Sequence, residues 1–179
     1  MVKHGGEGRR RAAWGGFAAL ALLAAAPAVG QDVIGIPVGQ TPPAVTIENL
    51  TGDTVSLSRW VGKKPVLVEF WATWCPICED LLPRMVAAQK KYGDRAEFVV
   101  VAVAVNQSKN SVRRHIEKHP MPFTFLWDGN GAAVRAFQAP STSYVAVMDA
   151  SGKVVYTGVG ENQDIDAAVQ KAVGGSKGR

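Results

Sequence analysis

The sequence predicts an α/β domain in which a central mixed sheet is flanked by helices. Three observations predict it. Val66–Trp71 and Ala96–Val105 are short β-branched runs, apolar nearly throughout, as strands covered on both faces must be. Between them, Leu81, Leu82, Met85 and Val86 fall at helical spacing. Finally, Tyr144–Met148 and Val154–Val159 flank Asp149-Ala150-Ser151-Gly152, a turn, so the sheet closes on a hairpin. Alternating strands and helices place helices on both faces of such a sheet.

The elements follow in order. Residues 1–30 read as a signal peptide or an N-terminal anchor. A basic patch ends at Arg11, an apolar run spans Ala12 to Ala26, and small residues close it at Ala28-Val29-Gly30. The run is shorter than the roughly 20 residues that span a bilayer comfortably, and either reading places the domain outside the cytoplasm, in a periplasm or its equivalent. Residues 31–43, rich in Gly and Pro, form an extended lead-in to a domain over 44–173. There Ala44–Glu48 and Thr54–Ser58 are strands about a turn at Leu50–Asp53. The apolar run at Val66 follows. A helix then runs to Tyr92 with Gly93 as its stop and Pro83 inside it. Beyond the second central strand come a helix over Asn110–His119, a strand over Phe123–Trp127 and a helix over Ala132–Phe137. After the hairpin, Ile165–Val173 is the closing helix and 174–179 a flexible tail.

Charge excludes one class of partner. The chain carries a formal +5, but Lys3, Arg9, Arg10 and Arg11 against Glu7 account for +3 of it, leaving +2 for residues 31–179. Interspersed charges of that sum give no field for a polyanion, so nucleic acid is not an expected partner.

The two cysteines, Cys75 and Cys78, stand in Trp74-Cys75-Pro76-Ile77-Cys78. A disulfide across so short a ring constrains the unfolded chain little, because the entropic gain grows with loop length. Chemistry is the better reason for the pair. Cys75 falls at a helix N-terminus, where unpaired N–H groups and the helix dipole favour a thiolate. Pro76 suits the first helical turn because its missing N–H needs no partner there. Cys78, three residues on, shares that face and can attack a mixed disulfide at Cys75. Cys75 is thus the nucleophile and Cys78 the resolving, more buried thiol. A zinc site would need two further ligands. His115 and His119 share a helix face, but 36 residues intervene between Cys78 and His115. On a short charged helix both histidines are expected to face solvent, and no metal site is expected.

The run Val68-Glu69-Phe70-Trp71-Ala72-Thr73-Trp74-Cys75-Pro76-Ile77-Cys78, with Pro83 following, resembles the signature of thioredoxin-like proteins. The longer layout is similar to their exported TlpA/ResA branch over roughly residues 37–173. That resemblance implies a thioredoxin fold with an N-terminal β-hairpin extension and a central strand–helix insertion. It also implies dithiol–disulfide exchange without a bound cofactor, protein disulfides as substrates, a membrane electron donor, a monomer, and a role such as keeping thiols reduced before haem attachment to c-type cytochromes. Glu69 matches the family's buried carboxylate beneath the resolving cysteine and would relay its proton. Trp74, Pro76 and Ile77, with Thr142 and Ser143, would meet the substrate.

Two positions depart from the family. Leu81 stands where many TlpA/ResA-like proteins carry a glutamate. Ser143, after Thr142, stands where the family has a cis-proline facing the cysteines, and Pro140 comes three residues early. A cis bond before a non-proline costs roughly 3–4 kcal/mol, so a trans Thr142–Ser143 bond and a rebuilt loop are expected. The rival function is a copper-handling module on the same fold, for which the missing proline leaves room. A thiol peroxidase is disfavoured by Ala72 where a threonine is usual, and a non-catalytic adaptor by the retention of both cysteines.

Overall fold

The computed structural model describes Met1 and residues 34–175. The expected signal or anchor, the start of the lead-in and residues 176–179 therefore lie outside the described residues. The chain divides into two units, Met1–Gln31 and Asp32–Arg179, and everything below concerns the second.

Its elements are β1 (Thr46–Asn49), β2 (Thr54–Ser56), β3 (Val66–Trp71), α1 (Pro76–Tyr92), β4 (Glu97–Val103), α2 (Lys109–Lys118), β5 (Thr124–Asp128), α3 (Ala132–Ala136), β6 (Tyr144–Met148), β7 (Val154–Gly158) and α4 (Ile165–Gly174). They form one seven-stranded sheet in the order β2-β1-β5-β4-β3-β6-β7. The three inner strands β5, β4 and β3 run parallel, and β1 and β6 join them antiparallel. This is the mixed sheet expected, with the hairpins at its two margins.

β3 is an interior strand, between β4 and β6. All six of its residues are buried, because helices cover both sides. On one side Leu67 packs with Leu81, Met85 and Ala88 of α1 and with Ile165 and Val169 of α4. Cys78, Leu81, Met85, Ala88 and Tyr92 recur at three- and four-residue steps, which gives α1 its apolar stripe. On the other side Val66, Val68 and Phe70 join Val112 of α2 and Phe137 beyond α3. α2 begins on a reciprocal cap, Ser108 and Ser111 each accepting from the other's backbone N–H.

Two expectations need correction. The second strand ends at Ser56 rather than Ser58, because the Ser56 hydroxyl accepts the Ser58 N–H at 3.3 Å and caps a 3-10 turn over Leu57–Trp60. That turn buries Leu57 and Trp60. The closing helix extends through Gly174, so the tail begins later than expected. Residues 34–43, in the lead-in, form neither strand nor helix, and Ile36 fastens them to the domain. Ile36 is 2% exposed, and its N–H donates both to the Phe137 carbonyl at 3.0 Å and to the Tyr144 hydroxyl at 3.2 Å. Among the described residues no helix is long and apolar enough to cross a membrane.

Gly35 makes this strap possible. Its φ is +71°, and a Cβ there would overlap the Tyr144 ring. Gly35→Ala is expected to destabilise the domain by about 2 kcal/mol through left-handed strain and displacement of Tyr144. Urea unfolding checks this; an unchanged midpoint would mean that the strap contributes nothing.

Candidate redox site

The site is built at the C-terminal end of β3. After Trp71 the chain turns through Ala72–Trp74, and the Cys75 N–H donates to the Ala72 carbonyl at 3.2 Å. Gln107, beyond β4, holds this turn. Its Oε1 accepts from the Thr73 N–H at 3.0 Å and from the Thr73 hydroxyl at 2.9 Å, while its Nε2 donates to the Val103 carbonyl at 2.6 Å. The Trp74 indole N–H donates to the Val105 carbonyl at 2.8 Å. Neither Gln107 nor Val105 was legible as a site residue, since nothing in a polar loop after a strand announces which backbone it will hold.

Cys75 is the N-cap of α1, with Pro76 in the first turn, and its Sγ accepts the Cys78 N–H at 3.2 Å. A helix N-terminus offers such donors to a negative charge. Cys75 and Cys78 are joined as a disulfide, with Cα atoms 5.3 Å apart. The expectation that Cys78 is the more buried does not separate them here: the two are 3% and 2% exposed. Helix position separates them instead, Cys75 at the cap and Cys78 inside the first turn. Around the sulfurs lies an exposed apolar collar. Trp74 and Ile77 are each 45% exposed, and Pro76 is exposed between them.

Glu69 points inward, not to solvent. It pairs across the sheet with Val145 and by alternation shares a face with Leu67, the side that α1 and α4 cover. It is 2% exposed, and Oε1 has no hydrogen-bond partner among the described residues. Burial with no compensating charge pushes its carboxyl up to about 8. Leu81, in the place of the family glutamate, is fully buried on the same side of the sheet.

The Ser143 loop is rebuilt as expected. No cis peptide bond occurs among the described residues. Ser143 instead takes φ +58°, the left-handed region. Its N–H donates to the Phe70 carbonyl at 2.8 Å, so the loop ends beside the β3 residue that leads into the cysteine turn. Thr142 is half-buried and Pro140 exposed.

The histidines need correction. His119 is exposed, but His115 is half-buried. Its ring centroid lies 5.5 Å from Trp71 and 4.8 Å from His119. Burial, then the neighbouring His119, lower its pKa, and Glu79 opposes them. His115 and Cys78 line one groove of about 460 Å³ between α1 and α2. Trp71, at the end of β3, packs its ring against the imidazole at a 59° tilt, which a helix pattern alone does not reveal. Even so, among the described residues no three His, Cys, Asp or Glu side chains converge as a metal site would require.

A Cys-x-x-Cys pair at a strand-to-helix junction, on a mixed sheet with helices on both faces, defines a thiol–disulfide oxidoreductase on a thioredoxin fold. The Redoxin family profile matches residues 37–173, and the chain belongs to that family. It is 36% identical over 99 residues to the thioredoxin-like protein YneN of Bacillus subtilis, covering 55% of this chain and 58% of that one. It is 29% identical over 133 residues to the thiol-disulfide oxidoreductase ResA of Geobacillus kaustophilus, covering 73% and 75%. A thiol:disulfide interchange protein of the thioredoxin family from Chlorobium tepidum superposes with a TM-score of 0.64 at 27% identity, over 77% of this chain and 99% of that one.

Glu69 sets a pH dependence of stability. Its folded pKa of about 8 stands above the ordinary 4.5, so the folded state holds a proton that the unfolded state has lost between those values. The stability due to the neutral carboxyl is full below about pH 4.5 and declines as the pH rises through about 8. Urea unfolding of the oxidised protein is expected to show a decline of up to about 1.4 kcal/mol per pH unit in that window, which Glu69→Gln flattens. Parallel curves for the two proteins would contradict the assignment.

Proposed function

We propose that the chain is an exported oxidoreductase that reduces disulfides in extracytoplasmic proteins, with Cys75 as nucleophile and Cys78 as resolving thiol. The observation that carries the assignment is the placement of Cys75 at the N-cap of α1, its Sγ receiving the Cys78 N–H at 3.2 Å. In the reduced protein that position favours the Cys75 thiolate. The thiolate attacks one sulfur of a substrate disulfide, the substrate S–S bond breaks, and a mixed disulfide forms with release of the first substrate thiolate. Cys78 gives up its proton and attacks the Cys75 sulfur. The second substrate thiolate leaves, and the Cys75–Cys78 disulfide remains. Two electrons have passed from the dithiol to the substrate.

Glu69 is suited to take and return the Cys78 proton. A carboxyl pushed up to about 8 is populated in both protonation states near neutral pH. The exposed collar of Trp74, Pro76 and Ile77, with the half-buried Thr142, meets a protein substrate. Ser143, expected to join them, is 1% exposed with its polar groups bonded within the protein, and so shapes the loop instead of touching the substrate. The basic and apolar run within residues 1–30 supports export, and in that compartment a membrane electron donor re-reduces the pair. Thiols awaiting haem attachment in c-type cytochromes are one substrate class such a reductase serves.

Replacing Cys75 with Ser is expected to reduce insulin disulfide reduction to background, while Cys78→Ser accumulates a mixed disulfide visible on a non-reducing gel. Full insulin reduction by the Cys75→Ser protein would overturn the assignment of the nucleophile.

A further inference from the structure

Ser143 stands in a left-handed conformation that a non-glycine residue keeps only where its surroundings over-determine it. They do. Ser143 is 1% exposed, and each of its polar groups is bonded. Its N–H donates to the Phe70 carbonyl at 2.8 Å, its Oγ accepts the Gly160 N–H at 3.1 Å, and its carbonyl accepts Nε2 of Gln163 at 2.9 Å.

Gln163 is itself buried, 6% exposed. Its Nε2 also donates to the Gly160 carbonyl at 2.7 Å, and its Oε1 accepts the Tyr156 hydroxyl at 3.2 Å. Two carbonyls face one end of the amide and a hydroxyl the other, so only this orientation satisfies all three contacts. Two glycines make the arrangement possible. Gly160 holds φ +96°. A Cβ on Gly158 would overlap both the Tyr156 hydroxyl and the Gln163 carbonyl oxygen.

We propose that Gln163, oriented by Tyr156, is a positioning residue for substrate recognition: it latches the Ser143 loop in a single orientation through the Ser143 and Gly160 carbonyls. This rests on the proposed disulfide exchange at Cys75. The loop lies beside the cysteine turn through the bond to Phe70, three residues before Thr73 and five before Cys75. Gln163 touches neither sulfur nor substrate. Its loss frees the loop without altering the dithiol.

The test compares a protein substrate with a small one. Insulin and oxidised glutathione are reduced by the wild type and by Gln163→Leu, and the reduction potential of each is measured by glutathione equilibration. For Gln163→Leu the KM for insulin is expected to rise about tenfold, equivalent to about 1.4 kcal/mol, with kcat, the glutathione rate and the potential each within about twofold of wild type. Tyr156→Phe, which removes only the orienting hydroxyl and keeps the ring, shifts insulin KM in the same direction by a smaller factor and serves if the first variant fails to fold. An unchanged insulin KM in a folded variant overturns the latch, as does an equal fall in both substrates or a displaced potential. A wild type inactive on both substrates refutes the disulfide-exchange reading instead.

Discussion

The structure depends on a strand that has no free face. Because β3 is covered by α1 and α4 on one side and by α2 on the other, its backbone cannot shift, and the turn that leaves it delivers Cys75 to a helix cap in one place. Neighbouring strands hold the same end. Gln107 and Val105, after β4, tie down Thr73 and Trp74, and Ser143, before β6, bonds Phe70. A dithiol whose two sulfurs must approach, part and reapproach needs a frame of this kind, since an ångström of drift would alter the attack geometry.

Against that apolar frame Glu69 is an anomaly with a cost. A carboxyl with an unpartnered oxygen, facing leucine and valine, is tolerated because it stays protonated over most of the physiological range. A glutamine of the same shape would escape the titration. Local conflict of this sort concentrates where chemistry is done, and here it lies on the strand that leads into the cysteine turn.

Much of this was legible in the sequence. Val66–Trp71 and Ala96–Val105 announced themselves as strands by their β-branched, nearly continuous apolar character, and α1 by the spacing of Leu81, Leu82, Met85 and Val86, of which Leu81 and Met85 are the buried pair, because burial on a regular element imposes its own period. The cysteine pair was legible because Pro76 and the preceding strand fix its position on the helix. Features set by contacts between distant segments were not. Ile36 lies in a Gly- and Pro-rich stretch, yet its N–H reaches Tyr144, 108 residues away. The shielding of His115 depends on where Trp71 turns at the end of its strand. Gln163 is one of four consecutive polar residues, Glu161 to Asp164, in a loop, so nothing in the sequence singles it out as the one that turns inward. Ser143 could be seen as a missing proline, but its left-handed backbone could not.

The cap on α1 also ties redox poise to folding. Whatever favours the Cys75 thiolate at the helix N-terminus stabilises the reduced fold and not the oxidised one, in which Cys75 carries no charge. Reduction potential and the difference in stability between the two forms are therefore one quantity, with about 30 mV corresponding to about 1.4 kcal/mol. A helix terminus contributes about 0.3–1 kcal/mol to a nearby charge, or roughly 6–20 mV toward the oxidising end on that scale. Substitutions far along α1 that fray or tighten its first turn would thus retune the electron affinity of a disulfide they never touch.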